Sequence, residues 1–140
     1  MEATAANPPV TIAWKRFAPW VGYALSAVPI LMLLLSASFK LTHPPQVMEM
    51  FVSQLGYQAS SLLGLALLEI AVVVVYAVPA TAVLGAILMT GYLGGAVATH
   101  VRVGQAFFIP LALGIFAWLG IYLRDQRLHA LVPLRSRAQK

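Results

Sequence analysis

The sequence predicts an all-α membrane protein: an antiparallel four-transmembrane-helix bundle with a short interfacial helix between helices one and two. Hydrophobic residues make up 61% of the chain and charged residues only 9%, whereas a soluble domain carries about 25% charge. Uninterrupted apolar runs, each about as long as the 20 residues that span a bilayer core, cover residues 19–39, 60–78, 81–99 and 106–123. The remainder of the chain is too short to form a separate soluble domain.

The basic residues predict the orientation of these spans. Of the nine Lys and Arg residues, seven lie before the first span or after the last one, and only Lys40 and Arg102 lie on the opposite side. The positive-inside rule then places both termini in the cytoplasm, as an even number of spans requires. We therefore expect a bacterial-type inner membrane protein with a flexible tail at residues 1–18, the bundle at 19–123 and a basic cytoplasmic tail at 124–140.

The first span is expected to begin near Pro19, because proline is tolerated in the first turn of a helix. Its apolar run follows two basic residues, and Ser36-Ala37-Ser38 could serve as the small-residue site of a cleavable signal peptide. Cleavage would leave three spans and would break the charge symmetry, so we interpret the segment as a retained helix.

The longest loop, residues 41–59, joins the first two spans. His43-Pro44-Pro45 should end the first helix, because a residue before proline avoids the α region. Residues 46–55 then place apolar side chains at helical spacing, and Gly56 is a suitable C-cap. We expect a short helix lying in the membrane interface, either as a plain connector or as a lid over the outer mouth of the bundle.

Helices two and three should be antiparallel neighbours, because only a tight turn around Pro79 separates them. In helix three, small residues recur at every fourth position, and a GxxxG pair runs beside them. Such residues let helix backbones approach closely in a membrane, which predicts a packing face. Its members are Ala82, Ala86, Thr90, Gly94 and Ala98, with Gly91 and Gly95 as the GxxxG pair.

Glu69 lies near the middle of helix two among aliphatic residues. An ionisable residue at that depth costs about 2.5–3.5 kcal/mol on insertion scales, so it is expected to face the other helices. Counting back from the turn at Pro79 places Glu69 level with residues 89–92, within reach of Thr90 or Tyr92. Glu69 is then either a structural hydrogen-bonding partner or a group that carries protons or binds a ligand.

Three further polar residues gather at the outer end of the spans. Lys40 ends helix one, and His100 and Arg102 end helix three. Together with Glu69 and Tyr92 they predict a polar column in an otherwise apolar bundle, suited to an amphipathic molecule such as a quinone or a lipid. The alternative is that the two basic residues are interface anchors whose side chains reach up to the membrane surface.

Several classes of function are disfavoured. The chain has no cysteine, which excludes thiol chemistry and disulfides. The basic residues flank apolar spans, so they indicate topology and no nucleic-acid partner. His43, His100 and His129 are the only histidines, and their differing depths argue against a haem or a metal site.

The residues also carry a resemblance to a known family. The segment GYLGGAVATHVRVG, together with SASFKL at the end of helix one and LLEIAVVVVYAVP in helix two, resembles the DoxX-like family of small four-helix membrane proteins over residues 22–134. The resemblance implies that the family's polar positions correspond to Lys40, Glu69, Tyr92, His100 and Arg102. It also implies a likeness to subunits of membrane quinone oxidoreductases, although this branch implies no settled activity.

The leading hypothesis is therefore an outward-facing pocket that binds a small lipophilic molecule, with a membrane redox partner or with acid/base chemistry of its own. Glu69 would act as the general acid or base and His100 or Arg102 would polarise a substrate oxygen, while Lys40, Tyr92, Arg102 and Thr90 would bind the ligand. The competing hypothesis is a non-catalytic accessory subunit that docks a partner or a second copy on the small-residue face of helix three. A substrate-gated carrier is a third interpretation.

Overall fold

The computed structural model describes the backbone of residues 10–130 and the side chains of residues 16–129. Helices, joined by short turns and loops, are the only regular secondary structure in this part of the chain. The long helices are α1 (Val10–Thr42), α3 (Ser61–Ala77), α4 (Ala82–Arg102) and α5 (Phe108–Arg124). Between α1 and α3 lie the short helix α2 (Pro45–Met48) and a π-helical turn at Glu49–Gln54, and a 3₁₀ turn at Gln126–Ala130 follows α5.

The four long helices pack in a closed ring, since α1 contacts both α3 and α5, and α4 contacts the same two helices. The centre of the ring is filled by a chiefly aliphatic core, whose members include Leu33 of α1 and Ile121 of α5. The outward faces are also apolar, with large side chains such as Leu31, Leu67 and Ile87 more than half exposed. Two helices, Arg16–Thr42 within α1 and Ala82–Arg102, are long and apolar enough to cross a membrane, while α3 and α5 have 17 residues each.

The prediction for the start of helix one is wrong. α1 begins at Val10 and is 33 residues long, so Pro19 and Pro29 both lie inside it. A proline removes one backbone hydrogen bond, but the surrounding helix continues where packing supports it. The proposed N-terminal tail is thus helical from Val10 onward, and its first nine residues lie outside the described part of the chain.

The segment between α1 and α3, residues 43–60, is named the connector here. It begins at His43, where φ is 51°, and the π-helical turn ends before Gly56, where φ is +74°. This left-handed backbone suits glycine, and it confirms Gly56 as the residue that follows the end of the helix. A single four-residue α-helical turn followed by a π-helical turn replaces the regular helix expected at residues 46–55.

The predicted packing face on helix three is only partly correct. Ala82 and Ala86 are buried, but a methyl group added at Gly91, Gly94 or Gly95 would meet no atom within 4 Å among the described residues. The close helix contacts are made by other glycines. A Cβ atom on Gly85 would collide with the backbone of Tyr76 in α3, and one on Gly120 of α5 would collide with α1.

Tyr76 joins three helices at the end of the ring opposite the connector. It is fully buried, and its hydroxyl lies 2.8 Å from the carbonyl oxygen of Ala117 in α5 and 3.0 Å from Oγ of Ser26 in α1. Leu128 of the 3₁₀ turn is buried in the same core. The first part of the predicted tail therefore packs against the helices through Leu128, and residues 131–140 lie outside the described chain.

Candidate functional site

A buried ion pair links α1 to α3 near the connector. Lys40 Nζ lies 2.9 Å from Glu69 Oε1, and both residues are only 1% exposed. The interpretation of Lys40 as an anchor that reaches to the membrane surface is therefore wrong: its side chain turns inward. Two buried opposite charges at this distance stabilise one another, because water competes for neither.

Two hydroxyl groups complete the cluster around the same carboxylate oxygen. Ser36 Oγ donates to Glu69 Oε1 at 3.0 Å and accepts a bond from Lys40, and the hydroxyl of Tyr92 donates to Oε1 from α4. Oε1 thus faces three donors, one of them an ammonium group, which is the environment of an ionised carboxylate. The other oxygen, Oε2, is buried and has no hydrogen-bond partner among the described residues.

A cavity of about 460 Å³ lies beside this cluster, under the connector. That volume falls within the range of small-molecule sites. Its walls are mostly aliphatic, with contributions from α1, α3, α4, α5 and the connector. Its polar lining consists of Ser36, Lys40, Tyr57, Glu69, Tyr92, Thr99 and His100.

The connector is held over the cavity by contacts to the end of α4. The guanidinium group of Arg102 donates to the carbonyl oxygen of Leu55 at 2.7 Å, and the hydroxyl of Tyr57 lies 2.9 Å from Thr99 Oγ1. From the connector side, the ring of Phe51 lies 4.5 Å from Lys40 Nζ, which is a cation–π distance. The connector therefore covers the charged pair with an aromatic face.

The structure brings together four of the six predicted site residues. Glu69, Lys40 and Tyr92 form the cluster, and His100 lines the cavity. The Nδ1 atom of His100 lies 2.8 Å from the carbonyl oxygen of Ala96. Because a carbonyl can only accept, Nδ1 carries a proton, and in the neutral tautomer with that proton Nε2 is an acceptor.

The other two predicted residues do not line this cavity. Arg102 is directed to the connector backbone, as described above. Thr90 lies on another side of α4, where its hydroxyl accepts a bond of 2.8 Å from the indole N–H of Trp118 and donates to the carbonyl oxygen of Ala86. Thr90 lines a separate apolar groove of about 380 Å³ between α4 and α5.

Sequence reasoning missed several polar residues of the site. The sequence indicated Ser36 only as part of a possible cleavage site, and it indicated no role for Tyr57 or Thr99. Ser36 precedes Lys40 by four residues, which is one helical turn, so the spacing itself contained the signal. Among residues 10–130, no group of three or more His, Asp or Glu side chains is placed to hold a metal ion.

Comparison with known proteins adds the family. The family model of the DoxX-like family matches residues 24–121, which is more than half of the chain. The chain belongs to the DoxX-like family. The matched range of this DoxX-like protein includes Lys40, Glu69, Tyr92 and His100. No curated protein and no solved structure matches the sequence.

Proposed function

We propose that this DoxX-like protein is a multi-pass inner-membrane protein that binds a small lipophilic molecule, a quinone or a lipid-like compound, beside the Lys40–Glu69 pair. The observation that supports this most directly is a cavity of about 460 Å³ whose lining combines the buried Lys40–Glu69 pair with the polar side chains of Tyr57, Tyr92 and His100. Apolar walls with a few convergent polar groups are typical of small-molecule sites.

The membrane arrangement proposed here has four antiparallel spans. The ring of α1, α3, α4 and α5, the apolar outward faces and the four-residue link between α3 and α4 support it. Helices of 17 residues are at the short end of the range that crosses a bilayer. The excess of basic residues near the chain ends supports cytoplasmic termini, with the connector and the cavity on the outer side.

The chemistry proposed for the site is acid/base chemistry, in support of a redox partner or by the protein itself. Glu69 would act through its carboxylate, which Lys40 holds in place by the bond to Oε1 and stabilises in the ionised form. His100 would act as a second proton acceptor through Nε2. It would polarise a substrate oxygen only in its charged form, and Arg102 would position the connector and have no contact with the ligand.

The test is the identity of molecules retained by the purified protein. We expect native mass spectrometry of gently extracted protein to show a bound lipophilic molecule, and Gly95→Leu to abolish it, because a side chain at Gly95 would project into the cavity without meeting other atoms. Gly64→Leu is the matched control, since Gly64 is equally unobstructed and lies outside the cavity lining. Equal retention by both variants would refute a ligand in this cavity.

A second candidate function is that of an accessory subunit. Gly94 is exposed, lies outside the lining of the 460 Å³ cavity and has open space around it, so the described chain leaves this side of α4 uncovered. A redox partner or a second copy could dock there through close helix packing. Gly94→Leu should then disrupt the complex in cross-linking experiments while Glu69→Gln preserves it; the opposite result would contradict this function.

A further inference from the structure

The hydrogen-bonding state of each polar side chain around the cavity indicates which ligand chemistry the site accepts. This step depends on the proposed function, because it asks what the ligand of that cavity must be. A donor that is already bonded to a protein oxygen is not available to a ligand, whereas an oxygen can accept more than one hydrogen bond. The side-chain donors of the lining can therefore be followed one by one.

The strongest donor, Lys40, is only 1% exposed and is surrounded by protein groups. Its ammonium group donates to Glu69 Oε1 and to Ser36 Oγ and lies 4.5 Å from the centre of the Phe51 ring. The hydroxyls of Ser36 and Tyr92 both donate to Glu69. The cluster therefore has no side-chain donor left for a ligand, although it contains a lysine.

The remaining hydroxyl groups of the lining also donate their protons to protein oxygens. Thr99 donates to the carbonyl oxygen of Gly95 at 3.0 Å, and a carbonyl cannot donate in return. In its contact with Tyr57, Thr99 must then be the acceptor, so the proton of Tyr57 is used as well. In the uncharged ring of His100, the only N–H is bonded to Ala96. In the lining, the lone pairs that stay open belong to the oxygens of Tyr57 and Tyr92 and to His100 Nε2, whereas Glu69 Oε2 is buried out of reach of a ligand.

We infer that the cavity selects an uncharged lipophile with a hydroxyl head group, such as a phenol or a hydroquinone, and discriminates against the corresponding quinone or ether. The lining offers acceptors, and the ligand must therefore supply the donor. A quinone offers only carbonyl oxygens, which would leave the acceptors of Tyr57, Tyr92 and His100 without a donor. A cationic amine would supply donors but would lie beside the ammonium group of Lys40, and the Lys40–Glu69 pair already balances its own charge.

The test compares ligands that differ only in the donor. We would measure binding of a para-hexyl phenol and of its methyl ether to the full chain in lipid nanodiscs at about pH 8, where an ordinary histidine is uncharged. The methyl ether keeps the ring, the tail and the oxygen but lacks the proton. We expect the phenol to bind at least tenfold more tightly, and a hydroquinone to exceed its quinone in the same way, because the unmatched ligand leaves a buried acceptor unpaired.

Two variants separate this inference from the proposed function. In His100→Phe the Nε2 acceptor of the lining is lost, so the preference for the phenol should shrink. Gly95→Leu should abolish binding of both probes, and Gly64→Leu should preserve it. Equal binding of phenol and ether that Gly95→Leu removes would overturn the donor preference and leave the cavity as a binding site. Absence of binding by either probe, or binding unaffected by Gly95→Leu, would refute both.

Discussion

Replacing Lys40 by Met tests whether the buried ion pair holds α1 against α3. At a distance of 2.9 Å and an effective dielectric constant of about 20, two unit charges attract by about 6 kcal/mol before desolvation is subtracted. Removing one partner of a buried pair typically costs roughly 3–5 kcal/mol, because the other charge is left without compensation. For a chain of this length that is a decrease in Tm on the order of 10 °C.

A double variant tests whether the charges of Lys40 and Glu69 are energetically coupled. Lys40→Met combined with Glu69→Gln removes both charges, and the amide oxygen can still accept the bonds from Ser36 and Tyr92. We expect it to lose less than about 1 kcal/mol, since an uncharged pair needs no counter-ion. Unfolding in detergent micelles would measure all three variants, with Arg127→Met, an exposed change in the 3₁₀ turn, as the control. If the double variant loses the sum of the two single losses, the ion pair has no coupling and the argument fails.

Three further predictions concern the helix packing and the connector around the site. Gly85→Ala should lower the free energy of unfolding by roughly 1–3 kcal/mol, because its methyl group meets the backbone of Tyr76, while Gly64→Ala should have little effect; equal losses would contradict this. Tyr76→Phe should cost roughly 1–3 kcal/mol in the same unfolding assay, since it leaves buried partners unsatisfied; a neutral result would refute this. Arg102→Met should speed amide hydrogen exchange in the connector around Leu55 without changing the stability of the ion pair; unchanged exchange would show that this bond does not hold the connector.

The depth of each residue could be predicted along the helix axes. The turn at Pro79 fixes the register of α3 against α4, so counting residues correctly placed Tyr92 within reach of Glu69. The direction in which each side chain points around its helix axis was harder to predict from the sequence. The same count placed Thr90 within reach of Glu69, yet its hydroxyl bonds to Trp118 on another side of α4.

The sequence by itself determined the helical class, the family and the number of long apolar helices, because composition and hydrophobic runs are properties of the chain alone. It also marked Glu69 as costly in an apolar span. Only the tertiary structure decided that Lys40 turns inward, that Arg102 binds the connector, and that Gly85 and Gly120, and not the GxxxG pair, make the close contacts. The physical reason is that these outcomes depend on how each helix is rotated against its neighbours. That rotation is set by packing between residues far apart in the chain.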